Sequence, residues 1–191
     1  MINHQIFPIH LSKWCHKFIN LKSMFLTTII FFMLTAPTVS IAQWAVATDT
    51  KAPDDEPIQV AYTTNSEGYT LEIYMDSNLM IRSRFTLKDG MLKLEDNSCP
   101  TFQIDNGMAN NKSINGDTCI SNLQWAEFIF GNIQNGTINS SILLAFMDGI
   151  TLTFRFRLEN GDYRETKFSL SGSKRSMTSI IGDHVIDRTQ Q

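Results

Sequence analysis

Apolar and polar residues alternate in several short runs of this chain, the mark of strands that bury one face. In "YTLEIYM" (69–75) Tyr69, Leu71, Ile73 and Met75 share a face; in "LMIRSRFTL" (79–87) Leu79, Ile81, Phe85 and Leu87 do. A three-residue turn over Asp76, Ser77 and Asn78 pairs Met75 with Leu79, Ile73 with Ile81 and Tyr69 with Phe85. It also sets Glu72 opposite Arg82, so both faces agree. A two-residue Asp89-Gly90 turn then brings Leu92 opposite Leu87 and Leu94 opposite Phe85, and residues 69–95 read as a meander.

A second hairpin lies in "GITLTFRFRLENGDYRETKFSLSG" (149–172). Leu152, Phe154, Phe156 and Leu158 alternate with Thr151, Thr153, Arg155 and Arg157. A two-residue Asn160-Gly161 turn would place Phe154 opposite Lys167 and break the apolar face. A three-residue loop of Asn160, Gly161 and Asp162, its glycine left-handed, pairs Phe154 with Phe168, Leu152 with Leu170 and Arg157 with Glu165. "LQWAEFIFG" (123–131) is apolar on both parities and reads as a central strand interrupted by Glu127.

Two stretches carry helical spacing. "NSSILLAFMDG" has Ser140 or Ser141 as cap and Gly149 as stop. "SKRSMTSIIGDHVI" puts Met177, Ile180, Ile181 and Val185 on one face, with Ser173 as cap. The predicted fold is mainly β: an antiparallel β-sandwich or partly open barrel with two short helices, after an N-terminal signal peptide.

That leader changes the picture. Lys13, Lys17 and Lys22 precede an apolar run from Phe25 to Leu34; Pro37 breaks it, and Ser40-Ile41-Ala42 supplies the small residues a signal peptidase reads. Residues 1–42 are therefore expected to be a signal peptide cut after Ala42, whether translation starts at Met1 or Met24. Residues 43–60 follow as an N-terminal arm and 61–191 as a single β-rich domain. The alternative is an uncleaved anchor in the inner membrane facing the periplasm, since Met24 to Ala42 carries no charge. Either way the rest of the chain is exported. The leader holds three of the sixteen Lys and Arg and none of the nineteen Asp and Glu. What remains is net acidic, which argues against nucleic acid or an anionic lipid surface as partner. Asp54, Asp55 and Glu56 read as a solvated acidic turn. The sequons at Asn111, Asn135 and Asn139 would be glycosylation acceptors only in a eukaryotic secretory pathway.

Candidate chemistry is sparse. Histidines stand at 4, 10, 16 and 184, so only His184 survives cleavage and a zinc site with several histidine ligands is excluded. Of cysteines 15, 99 and 119, the exported chain keeps Cys99 and Cys119, and an even pair in an oxidising compartment reads as a disulfide. It would tie the feet of "DNGMANNKSINGD", where Asn106, Asn110, Asn111 and Asn115 form a polar loop with little to bury. Pro100 holds Cys99 extended at the entry of a short strand, "TFQID".

The C-terminal half, about residues 95–180, resembles the invasion-associated locus B family of exported bacterial proteins. The resemblance rests on the cysteine pair, the helix "SSILLAFMDG" running into "ITLTFRFRL", and the closing "GDYRETKFSLSGSKRSM". The sequence departs from that family at "DTCIS" around Cys119 and in the Asn-rich insert. The resemblance implies a periplasmic β-sandwich and transfers no active site.

The expectation is an exported, periplasmic protein with one disulfide, a non-catalytic binding or structural component of a Gram-negative envelope. It would need no cofactor or metal, and its partner would be another envelope protein or a surface ligand, met at the Cys99–Cys119 loop. The alternative is an envelope hydrolase: Glu127 with an acidic partner acting on a glycan, or His184 with Asp183 or Asp187 and Ser171 acting on an ester.

Overall fold

The period of two decides which side of each strand turns inward, and the computed structural model keeps those faces while moving the register. It describes residues 43–49, 57–88, 93–182 and 185–186, the last two by backbone alone, all within the unit Ile41–Gln191. The leader, the acidic turn at Asp54, Asp55 and Glu56, the Asp89-Gly90 turn, and Asp183, His184 and Asp187 lie outside the described residues.

In chain order the elements are β1 (Ala45–Asp49), β2 (Ile58–Thr64), β3 (Thr70–Met75), β4 (Met80–Thr86), β5 (Thr101–Ile104), β6 (Ile120–Ser121), β7 (Trp125–Gln134) and β8 (Thr137–Ile138). Then come α1 (Ser141–Asp148), β9 (Thr151–Arg157), β10 (Tyr163–Ser169), α2 (Ser173–Ile181) and β11 (Val185–Ile186). The larger sheet runs β1-β2-β3-β4-β7-β8-β11, with β6 also on β7; the smaller runs β10-β9-β5. Pairings are antiparallel except β8 with β11. The described strands form no closed barrel.

The two sheets share one aromatic core. Phe85 of β4 stacks on Phe154 of β9 with centroids 4.7 Å apart and meets Phe156 and Phe168 at its edges. Phe102 of β5 packs on Phe128 and Phe130 of β7. Fully burying one such ring stabilises by ~1.5–3 kcal/mol, and Phe85, Phe128, Phe130, Phe154 and Phe168 all have under 2 % of their surface exposed. Phe146 of α1 joins this core through Phe130 and Trp44. Trp44 donates Nε1–H to the Ser169 carbonyl at 2.9 Å, and Ala45–Asp49 pairs with β2, so the expected N-terminal arm contributes a strand.

Several expected pairings move by two residues. The β3–β4 loop is three residues long but spans Ser77 to Leu79, closed between Asp76 and Met80. Leu79 takes the left-handed conformation (φ 59) and is exposed, not on the core face. Leu71 therefore faces Phe85, Ile73 faces Ser83, and Glu72 faces Arg84 instead of Arg82. The β9–β10 loop spans Glu159 to Gly161, with Gly161 left-handed at φ 85. Phe168 faces Leu152, Phe154 faces Thr166, and Arg155 rather than Arg157 faces Glu165. A slip of two leaves every side chain on its face, so alternation alone does not choose between such registers.

The meander does not form. Phe85 is flanked by Leu71 and Ala126, and Leu94 bridges to Leu158 instead. Ser173 is not the α2 cap: Gly172 (φ 90) holds that position, and the buried Ser173 hydroxyl donates to the Phe146 carbonyl. Val185 belongs to β11 rather than to the helix face. Met177, Ile180 and Ile181 are buried as expected. Helix α1 follows its sequence: the Ser140 hydroxyl accepts from Leu143 N–H at 3.0 Å and donates to the Phe130 carbonyl, and Gly149 ends it.

Candidate functional site

Polar parity on three neighbouring strands gathers charge on the outer face of the larger sheet. One cross-strand row runs Tyr62, Glu72, Arg84, Glu127, Ile120; the adjacent row runs Val60, Tyr74, Arg82, Ile129. Glu127 is the centre and is only 6 % exposed. Its Oε1 accepts from Arg82 Nη1 at 2.9 Å, and its Oε2 accepts from Arg84 Nε at 2.9 Å and from the Tyr74 hydroxyl at 2.5 Å. Arg84 Nη2 donates to Tyr74 Oη at 2.8 Å. The Arg84 guanidinium lies 5.2 Å from the Tyr74 ring centroid and 5.0 Å from that of Trp125, within cation–π range of both. Arg82 Nε also holds Asp76 at 2.6 Å, and Arg84 Nη1 lies 3.9 Å from Glu72.

This environment shifts the ionisable groups. Burial pushes the Tyr74 hydroxyl far above its usual range, helped by its hydrogen bond to Glu127 and opposed by the two arginines. Burial also works to raise Asp76. The Arg82 guanidinium and the N–H groups of Met80 and Asn78 outweigh it, so its carboxyl sits below the ordinary value.

Glu127 therefore pairs with arginine. Both of its oxygens are occupied by fixed donors, and Asp76 and Glu72 meet it only through a shared guanidinium. A general acid or base needs a free lone pair or proton aimed at substrate; this carboxylate instead holds donors from Arg82, Arg84 and Tyr74. Ser171 is exposed on the turn before α2, and the histidine expected beside it lies outside the described residues. Arg84, Tyr74 and Asp76 were not among the expected site residues. Their shared polar parity was the available signal; the adjacency of β4 and β7, which assembles them, was not.

The second feature is the disulfide. Cys99 and Cys119 are bonded, their Cα atoms 5.7 Å apart. Pro100 is buried at the entry of β5. The segment between the cysteines is more structured than its composition suggests. Phe102 and Asn110 exchange backbone hydrogen bonds of 2.7 and 2.8 Å, and Lys112 bridges Thr118. The buried Ser113 hydroxyl accepts from Ile129 N–H, and Ile114 N–H donates to the Ile129 carbonyl. With β6, these contacts cover the edge of β7 that β4 leaves open.

Of the four loop asparagines, Asn110 sits in that backbone pair and accepts from Lys112 N–H, and Asn115 is bound to Asp117. Asn106, Asn111 and Asn115 are exposed and Asn110 is half-buried; Met108, between Asn106 and Asn111, is 93 % accessible. The four thus share one segment, but only part of it faces outward.

No helix among the described residues is long and apolar enough to cross a membrane. Among the same residues, no three His, Cys, Asp or Glu side chains cluster as a metal site needs. No family model matches the chain, and no curated protein matches it. Among solved structures, invasion associated protein B from Bartonella henselae is similar, with a TM-score of 0.48 and 12 % identity over 74 % of this chain and 94 % of that one.

Proposed function

We propose that this is an exported protein of the bacterial envelope, acting in the periplasm by binding or as a structural component, without catalysis. The observation that carries the reading is the state of Glu127. The buried carboxylate best placed for hydrolysis is consumed by two arginines and a tyrosine, which makes it a clamp between strands. The leader and the disulfide support export, since disulfides persist in oxidising compartments. The signal-anchored form would place the same domain in the same compartment.

The contact surface in this reading is the Cys99–Cys119 segment, fixed at its feet by the disulfide and along its length by β7. It presents Asn106, Met108 and Asn111 on a rigid frame, and loops so held are common recognition elements. The partner is another envelope protein or a surface ligand.

Photo-crosslinking in intact cells tests this. A photoreactive residue at Asn111 gives a discrete adduct, and one at Lys167, on the exposed face of β10, does not. No adduct from Asn111 overturns the loop assignment. Hydrolysis of a glycan or ester substrate that disappears in Glu127→Gln overturns the non-catalytic one.

A further inference from the structure

Asparagine followed by glycine occurs four times among the described residues, at Asn106, Asn115, Asn135 and Asn160. Such a pair can close on itself. The glycine nitrogen attacks the asparagine side-chain carbonyl carbon, the N–C bond forms, and ammonia leaves. Water then opens the five-membered imide at either carbonyl, leaving aspartate or an isoaspartate whose main chain runs through the side chain. The reaction needs the glycine nitrogen free and the intervening peptide plane able to turn.

The four pairs differ in what holds them. Gly107, Gly116 and Gly161 each donate their N–H to the carbonyl three residues back, at 2.9, 2.9 and 2.8 Å. Asn160 is further tied, its Oδ1 accepting from Asp162 N–H. Asn115 is tied twice, accepting from Asp117 N–H and donating to the Asp117 carboxylate. Asn135-Gly136 is the two-residue turn from β7 to β8, both residues left-handed at φ 53 and 76. In such a turn the hydrogen bonds belong to the flanking Gln134 and Thr137. Neither the Gly136 N–H nor the Asn135 side chain bonds to another described residue, and both residues are exposed.

We propose that Asn135 is a site of spontaneous covalent modification, converting to aspartate and isoaspartate in the folded protein ahead of the other three. The order follows the hydrogen bonds that must first break: none at Asn135, one at Asn106, two at Asn160 and three at Asn115. Isoaspartate adds a backbone atom to a two-residue turn. That disturbs the pairing of Ile133 with Ile138, whose side chain is fully buried, just before the Ser140 cap of α1.

The test is a time course of the folded protein at mildly alkaline pH, with proteolytic peptides located by tandem mass spectrometry. Asn135 should react about fivefold faster than Asn106, the factor that ~1 kcal/mol for one hydrogen bond sets. Asn160 and Asn115 should follow in that order. In urea-unfolded chain the four rates should converge, and Asn135→Gln should remove the fast component. Faster reaction at any of the other three in the folded protein overturns the proposal. So does the same order in unfolded chain, or an unreacted Asn135 once the unfolded chain has been consumed.

Discussion

Replacing Glu127 with alanine tests whether the outer-face cluster is a structural clamp. Removing one partner of a buried ion pair costs ~3–5 kcal/mol, mostly because the remaining charge is stranded. Here the stranded groups are two guanidiniums with side chains 20 % and 27 % exposed. They can turn partly to water, and Asp76 still holds Arg82 at 2.6 Å. Tyr74, buried, loses the acceptor of its hydroxyl. The cost should then fall at or just below the bottom of that range, about 2–3 kcal/mol. For a domain near 150 residues that lowers Tm by about 6–10 °C. Glu127→Gln keeps the volume and one acceptor but aims an amide N–H₂ at a cation, and should lose about half as much. Thermal melts followed by circular dichroism read both. A Glu127→Ala protein that melts within about 2 °C of the parent would refute the clamp, and the carboxylate would then need another reason to be buried.

Other substitutions probe separate links. Gly149→Ala would put a Cβ 2.7 Å from the Ala145 carbonyl and 2.8 Å from Ile104 Cγ2; overpacking against backbone should cost ~1–3 kcal/mol, read as a fall in denaturation midpoint. Ser140→Ala removes the α1 cap and the donor to the Phe130 carbonyl, and should cost ~1–2 kcal/mol in the same measurement. The ionisable groups predict a stability profile with two limbs. Asp76, lowered in the fold, contributes stability that is present above ~4 and is lost as pH falls through its folded value, so Asp76→Asn should flatten the acid limb. Tyr74, raised in the fold, contributes stability that is present below ~10 and is lost as pH rises towards its folded value, so Tyr74→Phe should flatten the alkaline limb.

The parity of the strands was legible in the sequence and their register was not. Leu71, Ile73, Ile81 and Phe85 face inward as alternation required, yet each hairpin slid by two because its loop closed elsewhere. The β3–β4 loop uses Leu79 at positive φ, a place where glycine or asparagine would have signalled the turn. Long-range neighbours were hidden for a different reason. Phe85 meets Ala126 rather than Leu94, and an apolar face accepts any apolar neighbour. The helix at Ser140–Gly149 was read correctly because cap and stop are local signals. Glu127 stood out as a charge interrupting an apolar strand, but the two arginines that pair with it stand on another strand, which no local signal names. The Asn-rich segment looked unstructured because its order comes from backbone bonds to Phe102 and Ile129, which leave no hydrophobic trace.

Export with a closed disulfide is the premise on which the proposed role stands. The most direct measurement is the intact mass of the protein recovered from the envelope fraction of its own cells, unfolded and alkylated with and without reductant. The account predicts a chain beginning at Gln43, with no thiol alkylated before reduction and both Cys99 and Cys119 alkylated after it. A chain in the cytosolic fraction that retains residues 1–42 and carries Cys99 and Cys119 as free thiols would contradict it.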